Sequence, residues 1–321
     1  MIESAPPNPD RPKETLGIRG VMVALATPLD EHGEIDRIGL ERLVAHVISA
    51  GVSGICPVGS TGEGPLLSRE QRREVTATVA RVVSATSATA VIPATVSITA
   101  NDVIADLMAY HDVGATAALV PPPFYYPLEN DAVKRFFEQV ADRSPMPLLL
   151  YNIPAMTKVP IPATVVGELA QHPMIVGIKD SSRDLEYFQA VVMATQAYKG
   201  TKEPDLGGFA TLTGSDTLLV ASMLCGGAGT IAASVNLVPS LVLKLYQSVR
   251  GGDYDLARPI QERLVYIVQA CRRPGFPAGW KAALELVGLC GRWMAHPLSP
   301  ATPPALERLA AELRALEVLE G

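Results

Sequence analysis

Residues 147–181 read PLLLYNIPAMTKVPIPATVVGELAQHPMIVGIKDS, and the fold follows from how this stretch is read. Two short runs, PLLLYNIP (147–154) and IVGIKDS (175–181), are almost continuously apolar. A strand covered by helices on both faces of a parallel sheet has this character, because it has no solvent side on which to alternate polar residues. Between them the chain is longer, and Pro162 stands where a helix start is expected. Strand, helix, strand is the parallel βαβ unit.

The unit recurs in both directions along the chain. Further strand candidates are VMVALATP (21–28), GICPVG (54–59), AVIPATV (90–96), AALVPP (117–122), FATLTGS (209–215) and GTIAAS (229–234), which makes eight in all. Helix candidates lie between them. Residues 36–50 carry Ile38, Leu40, Leu43, Val44 and Val47 close to a 3.6-residue period. Ser68 and Gln71 have the spacing of a capping box opening 69–85. Asn101 or Asp102 is expected to cap 102–112, Asn130 to cap 131–142, and Pro239 to begin another helix. Eight βα units close most simply into a (β/α)8 TIM barrel. An open doubly wound sheet is the alternative, but no G-x-G-x-x-G follows the first strand. Beyond residue 251 the strands stop and three helical stretches follow, near 253–271, 277–289 and 303–318. The expected organisation is a loose Pro-rich and charged tail over 1–16, a barrel over 17–250, and a C-terminal helical extension over 251–321 packed on the barrel.

Composition narrows the function. The chain has 321 residues, 48% hydrophobic, and a formal net charge of −6, with Lys and Arg scattered. No basic cluster is present to neutralise phosphates, which argues against nucleic acid as a partner. No apolar run is long enough for a membrane span. Cys56, Cys225, Cys271 and Cys290 form no C-x-x-C pair or zinc pattern. Buried, reduced thiols and a cytoplasmic location are expected, with neither metal nor cofactor. His32, His46, His111, His172 and His296 are dispersed and are read as surface or satisfied residues.

Barrel active sites lie at the C-terminal ends of the strands. Lys179 sits there in Val-Gly-Ile-Lys-Asp. An amine taken out of water is favoured in its neutral form, the nucleophile that attacks carbonyls; a lysine at a strand end that simply reaches solvent fits the pattern equally well. Tyr151 ends a run of three leucines. It reads as a core tyrosine or as a general acid–base if its hydroxyl is relayed. Ser60 and Thr61 lie in Gly59-Ser60-Thr61-Gly62-Glu63, which is either an ordinary tight turn or a cradle of hydroxyls and N–H groups for a carboxylate. Glu63 is read as bracing that turn. Asp180 and Asp216 are candidate bases or metal ligands, but no third ligand has suitable spacing.

Taken in order, these motifs resemble those of the dihydrodipicolinate synthase / N-acetylneuraminate lyase family, over roughly residues 17–300. The turn at 59–63 is similar to the family's G-[ST]-T-G-E. Tyr151-Asn152-Ile153-Pro154-Ala155-Met156-Thr157 is similar to Y-x-x-P-x-x-T, and Gly177-Ile178-Lys179-Asp180 to G-x-K-[DE]. Gly214-Ser215-Asp216 and Gly229-Thr230-Ile231 are similar to the ends of its last two strands. The resemblance implies a class I aldolase or carbon–carbon lyase in which Lys179 forms a Schiff base with pyruvate or a 2-oxo acid, with an aldehyde as the other partner. It implies that Tyr151 shuttles protons and that Ser60 and Thr61 bind the carboxylate, with Thr61 also catalytic. Gly214, Asp216, Ile231 and Met156 are placed at the substrate. Tyr125 is implied to be catalytic as well, reaching the site of a neighbouring subunit in a homotetramer built from dimers.

Departures from the family pattern narrow the substrate. Synthases of the family that condense pyruvate with aspartate semialdehyde usually carry Arg where Met156 stands, and a thioether makes no bidentate contact to a carboxylate. The neuraminate lyase branch pairs an Asp with a Glu and uses a Ser for the sugar tail; here Asp216 is followed by Thr217, and Ala233 stands at the Ser. The expected substrates are therefore 4-hydroxy-2-oxo acids or 2-keto-3-deoxy sugar acids, with a smaller or less polar aldehyde half. The alternatives are a 2-keto-3-deoxy sugar acid dehydratase, a dihydrodipicolinate synthase with an altered site, and a non-catalytic binding paralogue.

Overall fold

The computed structural model describes residues 18–86, 89–196 and 208–319. The expected tail over 1–16 lies outside them. Eight strands run in parallel: β1 (Gly20–Ala24), β2 (Gly54–Cys56), β3 (Ala90–Val91), β4 (Ala118–Val120), β5 (Leu148–Asn152), β6 (Ile175–Asp180), β7 (Ala210–Thr213) and β8 (Gly229–Ala232). Their order is β3-β2-β1-β8-β7-β6-β5-β4. The remaining seam, between β3 and β4, is joined by a parallel bridge from Ala94 to Leu119. There the Thr95 N–H donates to the Leu119 carbonyl and the Leu119 N–H to that of Pro93, both at 2.9 Å. The sheet is thus a barrel with no open edge.

All eight strands are shorter than the apolar runs expected for them, and two show why. The runs at 54–59 and 90–96 keep regular pairing only over Gly54–Cys56 and Ala90–Val91. Pro57 and Pro93 follow closely, and proline has no N–H to give a ladder.

The helices are α1 (Arg37–Ser49), α2 (Arg69–Thr86), α3 (Ala100–His111), α4 (Asn130–Arg143), a single turn α5 (Pro154–Thr157), α6 (Ala163–Leu169), α7 (Leu185–Ala194), α8 (Leu219–Leu224), α9 (Pro239–Arg250), α10 (Tyr254–Arg272), α11 (Ala278–Leu286) and α12 (Pro303–Ala315). The capping box before α2 forms as its spacing predicts: Gln71 N–H donates to Ser68 Oγ at 3.1 Å and Ser68 N–H to Gln71 Oε1 at 3.0 Å. Two other expected caps are corrected. Thr99, not Asn101 or Asp102, caps α3, with its hydroxyl accepting from the Asp102 N–H at 3.2 Å. Asn130 is already helical in α4, whose N-cap position is Glu129 with no side-chain capping bond. No helix among the described residues is long and apolar enough to cross a membrane.

Two apolar layers result. Val21, Val23, Leu148, Leu150 and Ile178 face outward onto helix residues such as Val44, Val75, Val103 and Phe137. Met22, Leu119, Leu149, Tyr151, Leu212 and Ile231 fill the barrel interior. On β6 the alternation is reset by a bulge. Leu148 pairs with Ile175, but Leu149 pairs with Gly177, so Val176 is the additional residue. Beyond it, Ile178 faces the helices and Lys179 comes into register with Tyr151. A Cβ on Gly177 would lie 2.5 Å from the Ala210 carbonyl oxygen, so the bulge needs glycine there.

The C-terminal helices are tied to the barrel by a buried ion pair. Lys281 Nζ in α11 lies 2.7 Å from Glu63 Oε1, with both side chains at 0% exposure. Lys281 also donates to the Trp293 carbonyl, and the Ala295 N–H donates to Glu63 Oε2 at 2.7 Å. Burial holds the Lys281 ammonium below the usual lysine range, with the Glu63 carboxylate opposing that shift. Glu63 itself adopts the left-handed conformation, φ 58°, so this contact also fixes a strained turn.

Two stability changes are expected from these features. Gly177→Ala forces overpacking at the bulge and should cost about 1–3 kcal/mol; an unchanged urea midpoint would remove the steric argument. Lys281→Met strands the Glu63 carboxylate in the interior and should cost about 3–5 kcal/mol. The double variant Glu63→Gln/Lys281→Met should recover part of that loss in the same denaturation experiment. A single variant as stable as the parent would show that the pair contributes nothing to holding the extension.

Candidate active site

Lys179 and Tyr151 are register partners near the C-terminal ends of β6 and β5, and on the other side Lys179 pairs with Leu212. Both polar side chains are buried, at 5% and 4% exposure. Lys179 Nζ is 3.4 Å from the Tyr151 hydroxyl and 4.5 Å from the centre of its ring. The Tyr151 hydroxyl lies 3.3 Å from Ser60 Oγ. Amine, phenol and serine hydroxyl thus form a chain along which a proton can move. Gly214 leaves room for the lysine: a Cβ there would meet Lys179 Cε at 3.0 Å and Ser181 Oγ at 2.0 Å.

The turn after β2 is wound tightly. Gly64 N–H donates to the Gly59 carbonyl at 3.1 Å, and Thr27 Oγ1 donates to that of Gly62 at 2.6 Å. The N–H groups of Ser60 and Thr61 donate to no acceptor among the described residues. Ser60 and Thr61 line a cavity of about 280 Å3. The cavity brings together Lys179, Tyr151, Ser60, Thr61, Gly214, Asp216, Ile231 and Met156, which are eight of the nine residues expected at the site. A second, mainly apolar cavity of about 250 Å3 adjoins it past Ser60, Tyr151 and Met156, and is lined by Pro65, Val96, Pro121 and Phe124.

Tyr125 is the exception. It is 74% exposed, lies outside the cavity of its own chain, and stacks edge-on against Tyr126 at 4.9 Å. Asp180 is a strut. Its carboxylate accepts from Asn152 Nδ2 at 2.8 Å, the Ser182 N–H at 3.1 Å and Ser182 Oγ at 2.9 Å, while burial raises its pKa above the usual carboxylate range. Asp216 lines the cavity, but one of its oxygens accepts the Ser234 N–H at 3.0 Å. Ser60, which the motif assigned to binding, is the turn residue in contact with Tyr151. No group of three His, Cys, Asp or Glu residues among those described could hold a metal ion.

Sequence reasoning missed Arg183, Arg272, Phe276 and Trp280, all of which line the cavity. Arg183 follows the lysine strand by three residues and adopts φ 65°. The other three come from α10, α11 and the loop between them, beyond the barrel. No local pattern marks them, because it is the docking of the extension that brings them over the strand ends. Burial lowers the Arg272 pKa, and the nearby Arg183 lowers it further.

Relatives with the same fold are known. A sequence profile of the Dihydrodipicolinate synthetase family matches residues 17–316. The 4-hydroxy-tetrahydrodipicolinate synthase of Acidiphilium cryptum is 33% identical over 94% of this chain and 99% of its own length. The enzyme of the same name from Cereibacter sphaeroides is 34% identical over 92% and 98%. Among solved structures, YagE, a prophage protein of the dihydrodipicolinic acid synthase family from E. coli K12 in complex with pyruvate, superposes with a TM-score of 0.86 at 28% identity. That comparison covers 94% of this chain and 99% of YagE. The chloride-inhibited dihydrodipicolinate synthase of Acinetobacter baumannii complexed with pyruvate gives a TM-score of 0.86 at 27% identity, over 94% and 100%. The chain belongs to the dihydrodipicolinate synthetase family and is an enzyme, a class I aldolase or carbon–carbon lyase.

Proposed function

We propose that the enzyme forms a Schiff base between Lys179 and pyruvate, or the 2-oxo group of a longer acid, and makes or breaks the carbon–carbon bond next to it. The observation that carries this reading is the buried Lys179 amine 3.4 Å from the Tyr151 hydroxyl in a cavity at the strand ends.

The neutral amine attacks the ketone carbon and the resulting carbinolamine loses water to give an iminium. Tyr151 supplies and receives the protons of these steps, with Ser60 Oγ, 3.3 Å away, as its relay. In the cleavage direction a proton leaves the C4 hydroxyl, the C3–C4 bond breaks, and its electron pair flows into the iminium to leave an enamine and a free aldehyde. Protonation of the enamine and hydrolysis then release pyruvate and restore the lysine. The unengaged N–H groups of Ser60 and Thr61 suit the substrate carboxylate, as donors fixed before binding. Asp216, Ile231 and Gly214 line the space for the rest of the molecule.

Met156 narrows the aldehyde half. It is 55% exposed at the cavity and offers no charge, so the acid expected is a 4-hydroxy-2-oxo acid or a 2-keto-3-deoxy sugar acid. The exposed Tyr125 and Tyr126 favour an assembly, a dimer of dimers, in which Tyr125 reaches a neighbouring site. The four unpaired cysteines fit a reducing, cytoplasmic setting.

Borohydride reduction in the presence of pyruvate should leave a covalent adduct on the protein by mass spectrometry, absent in Lys179→Ala. A folded parent protein that takes no adduct would overturn the mechanism. Tyr151→Phe should lower turnover by more than about tenfold, as loss of an acid–base group does; unchanged turnover removes Tyr151 from the proton path. Assays on the two acid classes read the reaction directly. Pyruvate release marks an aldolase, whereas a dehydrated oxo acid with the carbon chain intact marks a dehydratase.

A further inference from the structure

Arg183 and Arg272 form a second charged element in the cavity, separate from the lysine. They belong to different parts of the fold, the loop after β6 and the end of α10, and both line the space above Lys179. Among the described residues neither guanidinium is in an ion pair or hydrogen bond. The carboxylate beside Arg183, that of Asp184, is engaged in capping α7 through the Tyr187 N–H at 3.0 Å. The carboxylate that acts on Arg272, that of Asp216, already accepts the Ser234 N–H. Arg272 is half-buried, and Arg183 adopts φ 65°, a conformation that costs free energy for a residue with a Cβ. Arg183 is exposed at the mouth of the cavity and its charge acts on Arg272, so an anion bound beside both would relieve that repulsion.

Charge counting gives the same result. Besides Tyr151, the titratable groups lining the cavity are Lys179, Arg183, Arg272 and Asp216, three potential cations against one carboxylate. An iminium on Lys179 keeps its positive charge, and the carboxylate of bound pyruvate balances it. Asp216 balances one arginine. One positive charge remains in the cavity beyond these pairs.

We infer that Arg183 and Arg272 together bind an oxyanion, a carboxylate or phosphate, at the far end of the aldehyde-derived half. This rests on the Schiff-base reading and gives it a substrate class: 2-oxo acids with a second, terminal anionic group. The pair supplies the charge that Met156 lacks, from other elements of the fold. A guanidinium fork suits either oxyanion geometry.

The test is synthesis from pyruvate with aldehydes of matched length. Succinic semialdehyde and glyceraldehyde 3-phosphate are the anionic partners; butyraldehyde and glyceraldehyde are the neutral ones. The parent enzyme should prefer one anionic aldehyde over its neutral counterpart by about tenfold or more in kcat/KM, the range of a charged hydrogen bond. The anion preferred names the source, a dicarboxylic acid or a sugar phosphate. In Arg183→Gln/Arg272→Gln the preference should fall toward unity, while borohydride trapping of pyruvate persists and shows an intact fold and lysine. Arg272→Lys, which keeps the charge and loses the fork, should retain part of it. A parent enzyme with no anion preference, or a double variant that keeps it, overturns the inference and leaves the Schiff base standing. Absence of the pyruvate adduct in the parent overturns both.

Discussion

The bulge at Val176 is the constraint on which the site depends. Strand side chains alternate between faces with a period of two, so one additional residue exchanges inside for outside. Without Val176 as that residue, Tyr151 would stand opposite Ile178, and Lys179 would point into the apolar layer beneath the helices. With it, amine and phenol face the cavity side by side at 3.4 Å. Gly177 permits this by bringing the backbone close to the Ala210 carbonyl. The lysine–tyrosine pair is therefore fixed by two backbones hydrogen-bonded in register. Side-chain packing adds to that order but does not create it.

Around this pair the molecule separates two tasks. Strands β5 and β6 and the turn after β2 carry the lysine, the tyrosine and the hydroxyls, the groups that any 2-oxo acid chemistry at the lysine would use. The loop after β6 and the C-terminal helices with the loop between them carry Arg183, Arg272, Phe276 and Trp280, which line the same cavity. A barrel divided in this way can change what it accepts through its outer elements and leave its inner strands as they are.

What was legible in the sequence follows this division. The strands could be read because a doubly covered parallel strand is an apolar run, and their order along the chain implied the barrel. Their ends were less legible. Apolar content does not reveal that Pro57 and Pro93 stop regular pairing, nor that Thr99 competes better than Asn101 for the cap of α3. Lys179 and Tyr151 could be found because each lies in a short motif at a strand end. Arg183 and Arg272 could not, since their partnership is a tertiary event between a loop and a helix with no shared spacing. Glu63 was legible as a brace for its turn, but Lys281 was not legible as its counterion, because a lysine within an amphipathic helix ordinarily points to solvent.

That counterion has a consequence for how the chain matures. Glu63 and Lys281 are 218 positions apart, and the carboxylate also takes the N–H of Ala295. Strands β1 to β8 are all synthesised before any of these partners leaves the ribosome. Until then the Glu63 carboxylate beside Ser60 and Thr61 has neither of these partners. The last part of the chain thus acts as a proof of completeness: a product cut short before α11 would contain every strand segment of the barrel and still lack the groups that answer Glu63.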